Sequence, residues 1–201
     1  NLSQVYSTTI ILDTIAPALV SAGSNQTVRL SFTQAGAASD ANSMTYSWSM
    51  QSGPTLGTVT FGSPTVLSTT ILPSLDGTYV IRFTATDAAG NSSSGTFTLV
   101  WDTTGPTGSI GITGNASYTN IPSVPLTLSA SDGDGVGVTQ MQFSDNGTDW
   151  STAAEAYAAT KSYTLSSGDG SKTIYVRFLD SLGNLSQVYS TTIILDTIAP
   201  A

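Results

Sequence analysis

The chain has 201 residues, of which 39% are hydrophobic and only 9% charged, and its net charge is −8. It contains neither Cys nor His, which removes disulfides, thiol nucleophiles, the usual zinc ligands and the commonest general base. Five Lys and Arg against 13 acidic residues disfavour nucleic acid and anionic membrane surfaces as partners and favour cations.

The polar surface comes from 30 Ser and 32 Thr rather than from charge, and 12 of the acidic residues are Asp, a residue of turns and cation loops. Residues 1–18, NLSQVYSTTIILDTIAPA, recur unchanged as residues 184–201. The chain is therefore expected to sample slightly more than one period of a longer tandem array. In chain order, residues 1–13 read as the last strand of a preceding copy of the second domain. Residues 14–102 form a first domain with strands near 28–32, 45–50, 58–61, 68–72, 78–86 and 96–101. Residues 103–196 form a second, with strands near 108–112, 124–130, 138–144, 162–165, 172–179 and 188–195; residues 197–201 open the next copy of the first. Residues 152–160 read as a loop with one helical turn. Short alternating strands broken by Gly, Pro, Asn and Asp, without sustained helical periodicity, give an all-β chain of two tandem antiparallel β-sandwiches. Pro17, Pro106 and Pro200 follow the strands that close each domain, and proline ends sheet pairing. Each closing strand is preceded by an Asp-x-x-Gly-Asn turn, at Asp87 to Asn91 and at Asp180 to Asn184.

Through Ala22-Gly23-Ser24-Asn25-Gln26-Thr27-Val28, Ser39-Asp40, Thr45-Tyr46-Ser47-Trp48, Ser52-Gly53-Pro54 and Gly77-Thr78-Tyr79, the first domain resembles a PKD-type Ig-like domain of bacterial surface proteins. It lacks the W-D-F-G-D-G turn of the better-known PKD form, so that loop's chemistry is not carried over. The second domain is similar to bacterial Ig-like repeats that occur in tandem in large secreted proteins. The residues that carry this are Asp132, Met141-Gln142-Phe143-Ser144, Asn146-Gly147, Trp150, Ser166 to Gly170 and Asp180 to Asn184. The resemblance implies two Ig-like sandwiches in an extracellular, cell-surface array, and a stalk, spacer, fibre or adhesin.

In an Ig-like sandwich the loops between strands B and C and between F and G lie at the end where the chain enters. That geometry gathers Asp13, Asp40 and Asp87 in the first domain, with Asn42 and Asn91 as neutral oxygen donors. In the second it gathers Asp102, Asp132 and Asp134, and Asp180 with Asn184. Ca²⁺ takes ~6 to 8 oxygens from such groups, so calcium is the one cofactor expected, holding each interdomain joint stiff. The alternative stands beside it: Asp-x-x-Gly-Asn also serves plain hairpin chemistry, with Gly and Asn at positive φ and Asp accepting backbone N–H groups.

Trp48, Phe83, Met141, Phe143 and Phe178 alternate with polar neighbours and read as core. Trp101 and Trp150 have two readings, core cap or interface, and Arg82 and Arg177 read as solvated charges on outward faces. No acid, base and nucleophile assemble, so no enzyme is expected. The expected function is mechanical, with neighbouring copies in the same chain, or other chains of a fibre, as partners. The rivals are a module binding glycans or a surface receptor, and a subunit assembling laterally by strand addition.

Overall fold

The computed structural model describes residues 12–150 and 152–200. The chain is all-β and divides into two compact units, Asn1–Trp101 and Asp102–Ala201. Each is an Ig-like sandwich. Of the expected strand at residues 1–13, positions 1–11 lie outside the described residues.

In the first unit the strands are β1 (Ala18–Ser21), β2 (Gln26–Val28), β3 (Phe32–Ala35), β4 (Ala37–Ser39), β5 (Met44–Ser52), β6 (Val59–Phe61), β7 (Ser68–Pro73), β8 (Gly77–Asp87) and β9 (Ser92–Trp101). One sheet runs β2-β9-β8-β5 and the other β3-β7-β6, with β1 paired to β4. Period-two alternation in β8 and β9 points Tyr79, Ile81, Phe83, Phe97, Leu99 and Trp101 into one core with Trp48 and Ile71. Trp101 is thus a core residue. The Tyr79 hydroxyl donates to the Leu75 carbonyl at 2.7 Å, the tyrosine corner that fixes the start of strand F in Ig-like sandwiches. The strand expected near residues 28–32 does not form as one piece. The chain leaves β2 after Val28, turns through 29–31 with Leu30 exposed, and starts β3 in the opposite sheet.

The second unit contains β10 (Thr107–Ile112), a single 3-10 turn (Thr113–Asn115), β11 (Tyr118–Thr119), β12 (Ser123–Ser131), β13 (Val138–Ser144), β14 (Glu155–Ala156), β15 (Thr160–Thr164), β16 (Gly170–Asp180) and β17 (Tyr189–Leu195). Its sheets are β10-β12-β15 and β11-β17-β16-β13-β14. Where a helical turn was expected, Glu155–Ala156 pairs with β13 instead, because a short Ala-rich stretch gains more from an open sheet edge than from one unsupported turn. The core collects Val124, Leu126, Leu128, Met141, Phe143, Ile174, Val176, Phe178, Ile193 and Leu195.

In both units the first part of the chain crosses to the far sheet and pairs in parallel with the last strand, β2 with β9 and β11 with β17. Among the described residues every other strand pairing is antiparallel. The last strand is therefore flanked on both sides at its C-terminal end, over residues 99–101 of β9 and 194–195 of β17, and a two- or three-residue strand is what remains at the edge there.

Candidate metal centre

The two Asp-x-x-Gly-Asn turns fold alike. In each, the Asp N–H donates to the Asn carbonyl and the Gly N–H to the Asp carbonyl, closing β8-β9 and β16-β17 respectively. Gly90 and Gly183 take φ of 93° and 79°, a region that a side chain disfavours, which explains Gly at the fourth position. Asp87 Oδ1 accepts the N–H groups of Ala89 and Asn91 at 2.8 and 2.9 Å, and Asp180 Oδ1 those of Leu182 and Asn184 at the same two distances.

The Asn closes a clamp. Asn91 Nδ2 donates to Asp87 Oδ2 at 2.9 Å and to the backbone carbonyl of Asp13 at 3.1 Å. Asn184 Nδ2 donates to Asp180 Oδ2 at 2.7 Å and to the carbonyl of Asp102 at 3.0 Å. One side chain thereby ties the F–G turn to the segment where the chain enters the sandwich. Asn184 is buried and Asn91 half-buried, so removing the first leaves two acceptors without water. Asn184→Ala is expected to cost the second unit about 1.5 to 3 kcal/mol, the range for a hydrogen bond to a charged group. Asn91→Ala should cost less, and hydrogen exchange of the β16 and β17 amides against those of β8 and β9 checks the difference.

The same clamps bring carboxylates together. Asp13, Asp40 and Asp87 each offer an oxygen within 4.8 Å of the others, and so do Asp102, Asp132 and Asp180. Asp40 and Asp132 come from the loops after β4 and β12. Asp102 and Asp180 are each only 2% exposed, whereas Asp132 is half-buried. Among the described residues no Lys or Arg forms an ion pair with any of these three. Asp134 stands apart from the expected set: it is exposed and outside the cluster, since Gly133 at φ 57° turns the loop between it and Asp132. Asn42 donates to Asp13 Oδ2 at 2.6 Å, and its backbone N–H to Asp40 Oδ1 at 2.8 Å. The Asn amides thus approach the carboxylates through nitrogen.

The electrostatics of the two kinds of carboxylate differ. The Asn91 side chain holds the Asp87 carboxyl below its ordinary range against the opposing effect of burial, helped by the N–H groups of Asn91, Ala89 and Gly90. Asp132 is pushed the other way by burial, with the negative charges of Asp102 and Asp180 adding to it and the Gly137 N–H opposing. An Asp that accepts several N–H groups is a turn-former. An Asp raised first by burial and further by two neighbouring carboxylates is a group that a cation would relieve. Two oxygens on opposite sides of one Ca²⁺, at about 2.4 Å each, stand about 4.8 Å apart, so each cluster is within reach of a single ion.

One arrangement has no counterpart in the sequence reading. Arg177 on β16 is not a free solvated charge: its Nε and Nη2 donate to Gln142 Oε1 at 3.0 and 2.7 Å, and its guanidinium lies 4.3 Å from the centre of the Trp150 ring. Gln142 in turn donates to the Trp150 and Thr152 carbonyls. Trp150 is thereby held to its own sheet as the cover of a cation. Gln142 and Arg177 face each other across β13 and β16, but neither alternation nor spacing indicates that a loop Trp folds back over them.

Residues 22–100 match the model of a family described as K319L-like, PKD domain. The first unit is a PKD-type Ig-like domain. Its solved likenesses include the PKD domain of human KIAA0319, 18% identical with a TM-score of 0.36, covering 41% of this chain and 79% of that one. Over a longer span the chain is similar to the fibronectin(III)-like modules of Clostridium thermocellum CbhA, at 15% identity and a TM-score of 0.38, covering 90% of this chain and 93% of that one. The D00-D0 domain of Intimin matches at 15% identity and a TM-score of 0.39, covering 86% and 95%. No curated protein matches the sequence. In the PKD-type domain the clustered Asp40 and Asp87 fall inside the matched residues and Asp13 before them. No helix among the described residues is long and apolar enough to cross a membrane.

Proposed function

We propose that the chain is a stretch of an extracellular array of Ig-like sandwiches that acts as a stalk or spacer at a bacterial cell surface, without catalytic activity, and that Ca²⁺ binds at the entering end of each sandwich. The observation that supports this most is the recurrence of one arrangement in two sandwiches of different sequence. An Asp from the entering segment, one from the B–C loop and one from the F–G turn place oxygens within 4.8 Å of each other in both units. An ion there would fasten the entering chain to the two loops, adding to what Asn91 and Asn184 already do. Trp101 ends β9 and the next residue, Asp102, belongs to the second cluster. An ion held by it leaves no untethered linker residue, and a short tethered joint resists bending under load.

The receptor- or glycan-binding alternative wants aromatic rings exposed together on one face. Among the described residues Tyr118 is the one strongly exposed aromatic, while Trp48 and Trp101 are buried and Trp150 covers Arg177. That distribution favours the spacer.

Thermal unfolding of the 201-residue chain in millimolar calcium and then in chelator tests the reading. A site at ~100 times its dissociation constant stabilises its unit by about 2.7 kcal/mol, on the order of 10 °C for a sandwich of ~100 residues. Both transitions should rise, and a variant carrying Asp102→Asn and Asp180→Asn should lose the shift of the second unit alone. Superimposable melts would return the aspartates to turn chemistry.

A further inference from the structure

In the first unit β7 lies between β3 and β6. Its counterpart in the second unit, β15, has β12 on one side and, among the described residues, no strand on the other. The backbone bonds fix which groups are left open there. The Leu128 N–H donates to the Ala159 carbonyl and the Leu165 N–H to the Pro122 carbonyl, so residues 159, 161, 163 and 165 turn their backbone groups toward β12. In an antiparallel strand the alternate residues turn theirs the other way, and these are Thr160, Ser162 and Thr164, all exposed. Edges elsewhere are blunted. β2 and β6 are three residues long, and β11 and β14 are two. β1 pairs with β4 in an irregular register, β5 gives the Trp48 N–H to the Pro64 carbonyl, and β10 gives the Gly108 N–H to the Tyr189 hydroxyl. A lysine pointing inward from an edge strand also opposes pairing, and Lys161, opposite the buried Leu126, is such a residue. Its charge is already met, however, because Nζ lies 2.6 Å from Glu155 Oε2. Covering this edge strands no unpaired ammonium.

We infer that β15 is a docking edge for β15 of a second copy of this chain, the two strands running antiparallel about Ser162 and joining their sheets into one. The segment Thr160-Lys161-Ser162-Tyr163-Thr164 is close to self-complementary. Pairing about Ser162 sets Thr160 opposite Thr164 and Ser162 opposite its own copy. Those are the positions with open backbone groups, so each pair exchanges both N–H groups. Their side chains share the outer face, where Ser162 Oγ already lies 2.7 Å from Ser123 Oγ, and facing Ser and Thr hydroxyls bond across strands. On the inner face each Lys161 stands opposite Tyr163 of the other copy. The Tyr163 hydroxyl donates to Asp145 Oδ1 at 2.8 Å, so each ammonium approaches a ring that carries a carboxylate, twice by symmetry. The alternative register, centred on Lys161, would set the two ammoniums face to face and is disfavoured. The contact is isologous and closes on a pair. Two five-residue strands bury far less than the ~1,200 Å² of a stable complex, so a single pair exchanges readily. In the array proposed above the edge recurs once per period and the contacts add, a consequence that rests on the array reading as the pairing itself does not.

The experiment uses the 201-residue chain, which has no Cys, so that single cysteines report the contact. Facing residues of a bonded antiparallel pair have Cα atoms about 5.5 Å apart, within the ~4.4 to 6.8 Å that a disulfide spans. Under mild oxidation Ser162→Cys should give covalent dimer at least about tenfold faster than Thr96→Cys, an exposed position on β9. Thr160→Cys mixed with Thr164→Cys should cross-link, while either alone stays monomeric, because like positions then lie four residues, about 13 Å, apart along the strand. Adding Thr160→Pro removes an outward N–H without touching the bonds to β12 and should abolish the Ser162→Cys dimer. Each variant should keep the parent melting transition of the second unit. Cross-linking of Ser162→Cys no faster than Thr96→Cys overturns the inference. So does a Thr160→Cys chain that links to itself as fast as to Thr164→Cys, or a Ser162→Cys dimer indifferent to Thr160→Pro, since neither is strand pairing in this register.

Discussion

Phe178→Ala unfolds the second unit at temperatures where the first remains intact. Phe178 is fully buried near the C-terminal end of β16, and its ring meets Tyr157 edge-on at 5.8 Å and Tyr189 at 5.9 Å. Those two tyrosines are not passive neighbours. The Tyr157 hydroxyl accepts the Ala130 N–H at 3.0 Å and the Tyr189 hydroxyl accepts the Gly108 N–H at 2.9 Å, so both reach across to the facing sheet. Gly108 lies so close over Phe178 that a Cβ there would stand 2.5 Å from the ring. Truncating the ring leaves a void that the facing backbone cannot fill without breaking the tyrosine bonds. The expected loss is about 3 to 5 kcal/mol, a large share of the ~5 to 15 kcal/mol that holds a domain of this size. Denaturant titration followed by exchange of β8 amides against β16 amides checks it: β16 should open early and β8 should not move. A loss below about 1 kcal/mol would mean that the two sheets close over the cavity and that the tyrosine bonds are not what spaces them.

The sequence marks this core well and its edges poorly. Phe83 and Phe178 sit at inward positions of runs in which every second residue is apolar, although Val80, Tyr175 and Leu179 are apolar on the outward register, and such a period-two pattern is a direct print of a sheet with one face buried. The turns between β8 and β9 and between β16 and β17 are equally legible, because Gly90 and Gly183 must adopt positive φ and the flanking Asp and Asn supply the bonds. β2 and β11 are different: three and two residues long, they hold their places by parallel pairing with a strand distant in sequence. No period can be read from two residues. The carboxylate grouping followed from topology, since the joint, the B–C loop and the F–G turn share one end of an Ig-like sandwich. Asp134 did not join it because a one-residue step past a positive-φ glycine reverses direction, which a count of acids along the chain does not register. Arg177 departs from the solvated charge its register suggests for a related reason. Its outward register is real, but Trp150 arrives over it from a loop whose path depends on Gln142 holding the Trp150 and Thr152 carbonyls.

Asp132→Asn is expected to raise the stability of the calcium-free second unit and to remove its response to calcium. The two readings of the clustered aspartates give opposite signs here. If Asp132 is a turn-former, its role is to accept the Gly137 N–H at 2.8 Å, which an Asn oxygen also does, and the change is close to neutral in either condition. If it is one of three carboxylates sharing an ion, the cation-free state carries their mutual repulsion. Two unit charges near 4.8 Å at an effective dielectric of ~20 repel by a few kcal/mol, which exposure of Asp132 reduces to about 1 kcal/mol. Neutralising Asp132 recovers that amount in chelator and, in calcium, forfeits the ~2.7 kcal/mol of a well-occupied site. The variant should therefore melt above the parent without calcium and below it with calcium, a crossing that changes in folding or packing do not produce. Asp180→Asn provides the contrast. Asp180 accepts three N–H groups at 2.7 to 2.9 Å and is buried, so its replacement should destabilise the unit in both conditions. A near-neutral Asp132→Asn in both conditions would assign Asp132 to turn chemistry, leaving the entering chain held by the Asn184 clamp alone.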